Sequence, residues 1–343
     1  MDSLTQFVLG AAVGEATLGK KEGNKAMLWG GIAGTIPDLD ILIYPFVPEV
    51  QELAIHRGLS HSFVFALLAP IPFGVILSRI YKRSSSWAKW TNLFLWAFLT
   101  HILVDALTNY GTQLFYPFSD HPVSFDSIFI IDLLYTLPLI IGLVVALVAG
   151  KKNKFQRTRA NQIGLFVSSL YLVFTLVNKS FVTQVFEDTL QSQNISYEQL
   201  FTNPSPLNNI LWYGVADDGT DLWIGSYSWF DEDKNISFER VPKNKELLAP
   251  YHGQLPVERL FWFSKGYFAV EEVDGALYVN DVRFPRTDLY LDEDGGYVFS
   301  FRLVPDPADS TQFIDFRQGD RELSFPPGIL DRFVERVLGN KTP

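Results

Sequence analysis

Long apolar runs fill the first half of the chain. After about residue 184 they give way to a short-period alternation of aromatic, β-branched and polar positions. A helix that crosses a bilayer needs about 20 mostly apolar residues. Segments 127–150, 62–81, 91–107 and 162–181 meet that requirement clearly. Segment 27–47 is long enough but carries Pro37, Asp38 and Asp40, and segment 4–19 is short and interrupted by Glu15. The pattern predicts an α-helical polytopic membrane bundle of about six helices.

Short basic loops stay on the cytoplasmic side of a membrane. Three such loops occur: Lys20, Lys21 and Lys25; then Lys82, Arg83 and Lys89; then Lys151, Lys152, Lys154, Arg157 and Arg159. With the spans drawn as above, all three fall on one side. Segments 48–61 and 108–126, and everything after residue 182, then lie on the outer face. The expected location is the bacterial cytoplasmic (inner) membrane, with a multi-pass helical domain over 1–184 and an extracytoplasmic domain over 185–343.

The second domain reads as mainly β (α+β). Runs 210–215 and 222–230 flank Asp218-Gly219, and runs 266–273 and 276–284 flank Asp274-Gly275; a further run covers 296–304. Asp-Gly between alternating runs is a hairpin signal. Asn203-Pro204-Ser205-Pro206 predicts a loop after a helical neck. The aromatic residues of this domain are expected to form a sheet core rather than a sugar- or lipid-facing surface.

Charge sharpens the division. Residues 1–184 carry a net +3 and residues 185–343 a net −13, which together give the −10 of the whole chain. Charged residues make up 19% of the chain, against about 25% in soluble domains. A disordered chain and a basic nucleic-acid binder are both excluded, so no nucleic-acid partner is expected. The chain has no cysteine, which removes disulfides, thiolate metal ligands and a thiol nucleophile.

The candidate chemistry collects in the first domain, which holds four of the five histidines. Asp38 and Asp40 stand in an apolar segment, where a carboxylate costs about 2.5–3.5 kcal/mol and calls for a cation; the alternative is a polar loop just outside the bilayer. His56-Arg57-Gly58-Leu59-Ser60-His61 brings two imidazoles together only if the chain turns at Gly58, because neighbours on a helix are three or four apart. Ser60 is placed to cap the helix that follows, and Arg57 suits bidentate recognition of a phosphate or carboxylate. His101 and Asp105, at i and i+4, share a helical face and suit one metal ion or a plain hydrogen bond. The loop with Thr108, Asn109, Tyr110, Asp120, His121 and Asp126 is polar, and Asp132 follows within a span.

On the topology above, all these groups meet at the outer boundary of the membrane. Histidine and aspartate without cysteine suit Zn²⁺, Mn²⁺ or Fe²⁺, and six ligands (Asp38, Asp40, His56, His61, His101 and Asp105) suffice for one or two divalent ions.

As an ordered set, Met1-Asp2-Ser3-Leu4-Thr5, Pro37-Asp38-Leu39-Asp40, His56-Arg57-Gly58-Leu59-Ser60-His61-Ser62, His101-Ile102-Leu103-Val104-Asp105, Thr108-Asn109-Tyr110-Gly111-Thr112 and Pro117-Phe118-Ser119-Asp120 resemble the YdjM-like (DUF457) family of membrane-bound metal-dependent hydrolases. The resemblance covers roughly the first 180 residues. The family is remotely similar to zinc-dependent phospholipase C and P1-type nucleases, which implies phosphoester hydrolysis with the same six residues as metal ligands. One departure stands out: many members have His after the opening Thr, where this chain has Gln6, a poor ligand. Gln6 therefore implies either a missing ion or a substrate contact.

The expected function is a metal-dependent hydrolase of phosphoester or lipid-linked substrates. Arg57 would bind the anionic group, and Asp120 or His121 would act as general acid or base. The alternatives are a non-catalytic scaffold or sensor with a structural metal, whose outer domain engages an unidentified protein partner, and an ion transporter using buried Asp and His.

Overall fold

The structure, a computed structural model, describes residues 1–82, 84–150, 152–289, 291, 295–309, 311–319 and 326–341. Arg83 and Lys151 of the basic loops lie outside the described residues. A helical N-terminal part is followed by antiparallel β-sheets. The chain divides into two compact units. Met1–Ile43, Ile55–Val177 and Pro206–Asn208 form the first; Tyr44–Ala54, Asn178–Ser205 and Asn209–Pro343 form the second.

In the first unit, α1 (Ser3–Gly14) and α2 (Asn24–Thr35) meet along a seam of glycines. A Cβ built on Gly10 would lie 2.2 Å from the Gly30 carbonyl oxygen, one on Gly14 2.1 Å from that of Ala26, and one on Gly34 2.3 Å from that of Gln6. Only hydrogen fits there. Small residues four apart let two helix backbones touch where the surroundings offer little hydrophobic drive for association. A π-helical stretch, Glu15–Gly19, ends α1. Glu15 is buried there and accepts from Arg157 Nε at 2.7 Å, while Arg157 Nη1 donates to Asn24 at 2.7 Å. That contact resolves what the sequence showed only as an interruption: the acid is paired.

The central element is α6 (Trp87–Ala106). Its fully buried stripe runs Trp90, Leu93, Phe94, Phe98, His101, Ile102 and Asp105, at steps of three and four. His101 and Asp105 thus replace apolar residues on a core-facing stripe and are themselves fully buried. Against α6 pack α1, α2, α4 (Phe63–Leu68) and α5 (Pro70–Ile80), and α7 (Leu133–Ala149) packs on α1, whereas α3 (Glu49–Ile55) folds with the second unit but for its last residue. Phe73 of α5 stacks on Phe94 with centroids 4.9 Å apart.

The expected six spans are not all present as long apolar helices. By length and composition, one described helix, α8 (Lys154–Ser192), can cross a membrane. Up to three can if each bent pair is one span: Asn24–Thr35 with Pro37–Phe46 (44°), and Glu49–Leu68 with Pro70–Ile80 (62°). Proline explains both breaks, since Pro37 and Pro70 cannot donate into the preceding turn and clash with it. Segment 127–150 loses its first residues because Asp132 caps α7, its Oδ1 accepting from the amides of Leu134 and Tyr135. Leu133–Ala149 is accordingly a shorter apolar helix. α6 has sufficient length, but Lys89, Asn92, His101 and Asp105 dilute its hydropathy.

The second unit contains two four-stranded antiparallel sheets. The first is β1 (Gln199–Pro204), β2 (Leu211–Asp217), β3 (Asp221–Ser228) and β4 (Phe238–Pro242) in sequential order; the second is β5 (Phe268–Val273), β6 (Ala276–Asp281), β7 (Ser300–Pro305) and β8 (Phe313–Gln318). Both Asp-Gly signals mark hairpins, β2–β3 and β5–β6. Asn203 and Pro204 are strand residues rather than loop; β1 is an edge, where a missing N–H is tolerated. Val182, Val185 and Phe186 at the end of α8 pack with Trp212, Tyr227 and Ile236, so the aromatic residues named there do build a core. This unit also holds α9 (Leu255–Ser264) and α10 (Ile329–Val337).

The seam makes a direct prediction. Gly30→Ala should lose about 1–3 kcal/mol through overpacking against backbone, read as a lower melting temperature in detergent. Gly296→Ala, where nothing lies within 4 Å of the added carbon, should melt like the parent protein.

Candidate metal centre

Four side chains from three segments converge inside the first unit. Asp38 comes from the 3₁₀ turn Pro37–Phe46, His61 from the 3₁₀ turn Leu59–His61, and His101 and Asp105 from α6. One ligand atom of each lies within 4.8 Å of all the others, and the group can hold a metal ion. The geometry is tighter than that limit. His61 Nε2 and His101 Nε2 are 3.1 Å apart. His61 Nε2 lies 3.3 Å from both Asp38 Oδ1 and Asp105 Oδ2, and His101 Nε2 lies 3.5 Å from each. A four-coordinate ion with bonds of about 2.0–2.2 Å has donor–donor edges of about 3.3–3.6 Å.

The tautomers are set by what holds the other ring nitrogens. His101 Nδ1 is 2.7 Å from the Gly34 carbonyl oxygen, which can only accept, so Nδ1 carries the proton. His61 Nδ1 is 3.0 Å from Ser60 Oγ, whose hydroxyl donates to Asp40 Oδ2 at 3.1 Å; Nδ1 is then the donor here too. In the neutral rings both Nε2 atoms present lone pairs to each other, a repulsive arrangement unless positive charge sits between them. Asp105 Oδ2, on the same side, is fully buried and accepts no hydrogen bond among the described residues, with only the long ion pair to Arg57 Nε beside it. A buried carboxylate oxygen so weakly served is costly, and a cation at the centre of the four would answer it.

The outer oxygen of Asp105 is well served. Oδ1 accepts from the Met1 amino group and from the Gln6 side-chain amide at 2.8 Å. Gln6 therefore spends its N–H on a candidate ligand. Arg57 is buried as well, with Nε 3.4 Å from Asp105 Oδ2 and Nη1 donating to Thr108 Oγ1 at 2.8 Å. Its backbone sits in the left-handed region, at φ 55°, a conformation that costs a non-glycine residue energy and is held here by its contacts. The Arg57 amide donates to Asp40 Oδ2 at 3.0 Å.

Asp40 and His56 form a separate pair beside the four. Asp40 Oδ1 is 3.1 Å from His56 Nδ1, and the His56 ring lies 6.0 Å from that of His61 and edge-on to Tyr110 at 5.0 Å. Asp120 and His121 stand apart: both are exposed, in the loop closed by the Thr112–Val123 bridge. Ser60 does not cap α4. That role falls to Ser62, which accepts from the Phe65 amide, while Ser60 links His61 to Asp40. In the sequence Gly34 has no role beyond ending a small-residue repeat, and Thr108 belongs to the polar loop after α6 without a named partner; in the structure they hold His101 and Arg57.

A helical membrane protein with a buried His/Asp cluster is the class these features define. The YdjM inner membrane protein family matches residues 1–182, and the chain belongs to that family. It is 32% identical to the uncharacterized protein YfhP of Bacillus subtilis over 129 residues, 35% of this chain and 38% of that protein. It is also 32% identical to the inner membrane protein YbcI of Escherichia coli over 106 residues, 30% of this chain and 60% of that protein. The chain thus spans less than two thirds of either relative. No solved structure matches it.

If Ser60 and Asp40 orient His61 toward a metal, Ser60→Ala and Asp40→Asn should each weaken metal affinity about 10–100-fold. Competition with a chelator checks this. His101→Ala, which removes a donor outright, should release the metal under conditions in which both other variants retain part of it.

Proposed function

We propose that the protein is a membrane-embedded, metal-dependent hydrolase acting on phosphoester or lipid-linked substrates at the outer face of the cytoplasmic membrane. The carrying observation is the pair of imidazole Nε2 atoms 3.1 Å apart, with their Nδ1 atoms held by oxygen. Two histidines and two carboxylates at tetrahedral spacing favour zinc, since Mn²⁺ prefers octahedral oxygen sites and non-haem Fe²⁺ a three-ligand face. A bound divalent ion supplies Lewis acidity and lowers the pKa of water toward about 7.

The chain's own groups would then divide the work. Asp38, His61, His101 and Asp105 hold the ion. The Asp38 side chain is 20% exposed, whereas those of the other three are 0–1% exposed, so Asp38 is the donor that can yield a position to water or substrate. His56, oriented by Asp40 through Nδ1 and adjacent to the four, is the base that takes a proton from water, in the manner of a His–Asp dyad. Arg57 fixes Asp105 and places positive charge beside the reacting group. Asp120 and His121, exposed on the outer loop, are the groups that could protonate a leaving oxygen.

This reading includes a multi-pass topology with the second unit extracytoplasmic, supported by the basic loops and by α8. A site enclosed by apolar helices is suited to a phosphate carried on a lipid rather than a free sugar or peptide. One feature favours the scaffold alternative: four protein donors make a closed set, as in structural zinc sites, while catalytic sites keep a position open.

Turnover separates the two readings. Purified, metal-loaded protein should hydrolyse a member of a phospholipid and lipid-linked phosphate panel. His56→Ala should lower kcat about 10²–10⁴-fold with metal content unchanged. Stoichiometric metal with no turnover on any member, and with the same melting loss on chelation for parent and His56→Ala, would favour the structural ion. A reporter fused after residue 343 should behave as periplasmic.

A further inference from the structure

A chain of exposed apolar groups leads away from the outer end of α8 and is used by neither the core nor the candidate metal centre. Along α8, Phe166, Leu170, Val173, Val177 and Phe181 follow one another at steps of three and four, all exposed on one helical face. Phe181 closes that stripe, and the Trp229 ring lies against it with centroids 5.8 Å apart. Trp229 Nε1 donates to Asn178 Oδ1 at 2.9 Å, which fixes the indole at the level where α8 stops being apolar. Phe230 follows, 56% exposed. A Cβ on Gly339 would lie 2.2 Å from the Phe230 carbonyl oxygen, so this turn abuts the end of α10. There Leu330, Val334 and Leu338, four apart, are 72%, 55% and 64% exposed, while Ile329, Phe333 and Arg336 on the other side are buried.

Water-exposed apolar patches of this extent mark interaction surfaces. We propose that Trp229, Phe230 and the Leu330–Val334–Leu338 face of α10 insert shallowly into the headgroup–acyl boundary of the membrane that α8 crosses, anchoring the second unit to the lipid surface. The inference rests on the reading of α8 as a span, and continuity selects the occupant. The patch begins on the last residue of the lipid-facing stripe and extends it, rather than forming an isolated island. Tryptophan with one polar edge satisfied is the residue type of membrane interfaces. Lys234, exposed with its Nζ 5.0 Å over the Phe181 ring, stands where lipid phosphates would lie. α10 has the division of faces expected of an interfacial helix, and exposed Asp331 and Glu335 along one border of its stripe limit it to a shallow seat.

The chain has no cysteine, so single spin labels can be placed without background. Full-length protein carrying Phe230→Cys, Val334→Cys or Leu338→Cys would be labelled in nanodiscs of phosphatidylethanolamine and phosphatidylglycerol. Collision rates with oxygen, which partitions into lipid, and with a water-soluble nickel chelate would then be compared. Asp274→Cys at an exposed hairpin tip marks water, and Val173→Cys marks the span. The expected result is an oxygen-to-nickel ratio at 230, 334 and 338 several-fold above that at 274 and below that at 173. A lipid-like ratio at 173 with a water-like ratio at the three patch positions would overturn the anchor and leave the span intact. A water-like ratio at 173 would overturn both. Protection from both reagents at the patch, together with doubled mass per particle, would assign the surface to a second copy and likewise overturn the lipid anchor.

Discussion

The contact on which the candidate centre depends is made by glycine backbones. α1 and α2 approach until carbonyl oxygens occupy the space where side chains would otherwise begin, and this closeness delivers two groups to the site. One is the Gly34 carbonyl, which holds His101 Nδ1; the other is the Gln6 amide, which holds Asp105 Oδ1. The same two helices that form the seam therefore fix the tautomer of one candidate ligand and hold the carboxylate of another.

A second constraint follows from placing acids and imidazoles on the core face of α6. Burying a charge without a partner is prohibitive, and each partner must itself be satisfied. Around the candidate centre the partners are specific: Asp40 takes the Arg57 amide, the Ser60 hydroxyl and His56, and Asp105 Oδ1 takes Met1 and Gln6. Within that frame two Nε2 atoms and Asp105 Oδ2 face one another across a space that a cation among the four donors would fill.

Much of this was legible in the sequence, for a physical reason. Side-chain period gives the helices and hairpins, and Asp-Gly gives both hairpin turns. His101 and Asp105 could be paired because i and i+4 share a face. The turn at Gly58 was foreseeable because two histidines five apart cannot otherwise meet. The breaks were harder. Pro37 and Pro70 divide apolar segments into bent pairs, and an apolarity count does not register a kink. Gly10, Gly14, Gly30 and Gly34 form two G-x-x-x-G repeats, whose backbone contact leaves no mark on the pattern of titratable residues. The local spacing of Ser60 suits a helix cap; its actual partners, Asp40 and His61, are set by tertiary structure, which local spacing does not contain.

The family match ends at residue 182, close to where the helical unit ends. Yet the second unit is not simply appended. Residues Tyr44–Ala54, which connect Asp40 to His56 in the chain, fold with it. There Glu49 accepts from Arg317 at 2.8 Å and from the Gln318 amide, and the Val50 amide donates to Asp315 at 2.8 Å. Eight residues lie between Asp40 and Glu49, and five between Val50 and His56. The second unit thereby has a covalent hold on both halves of that pair.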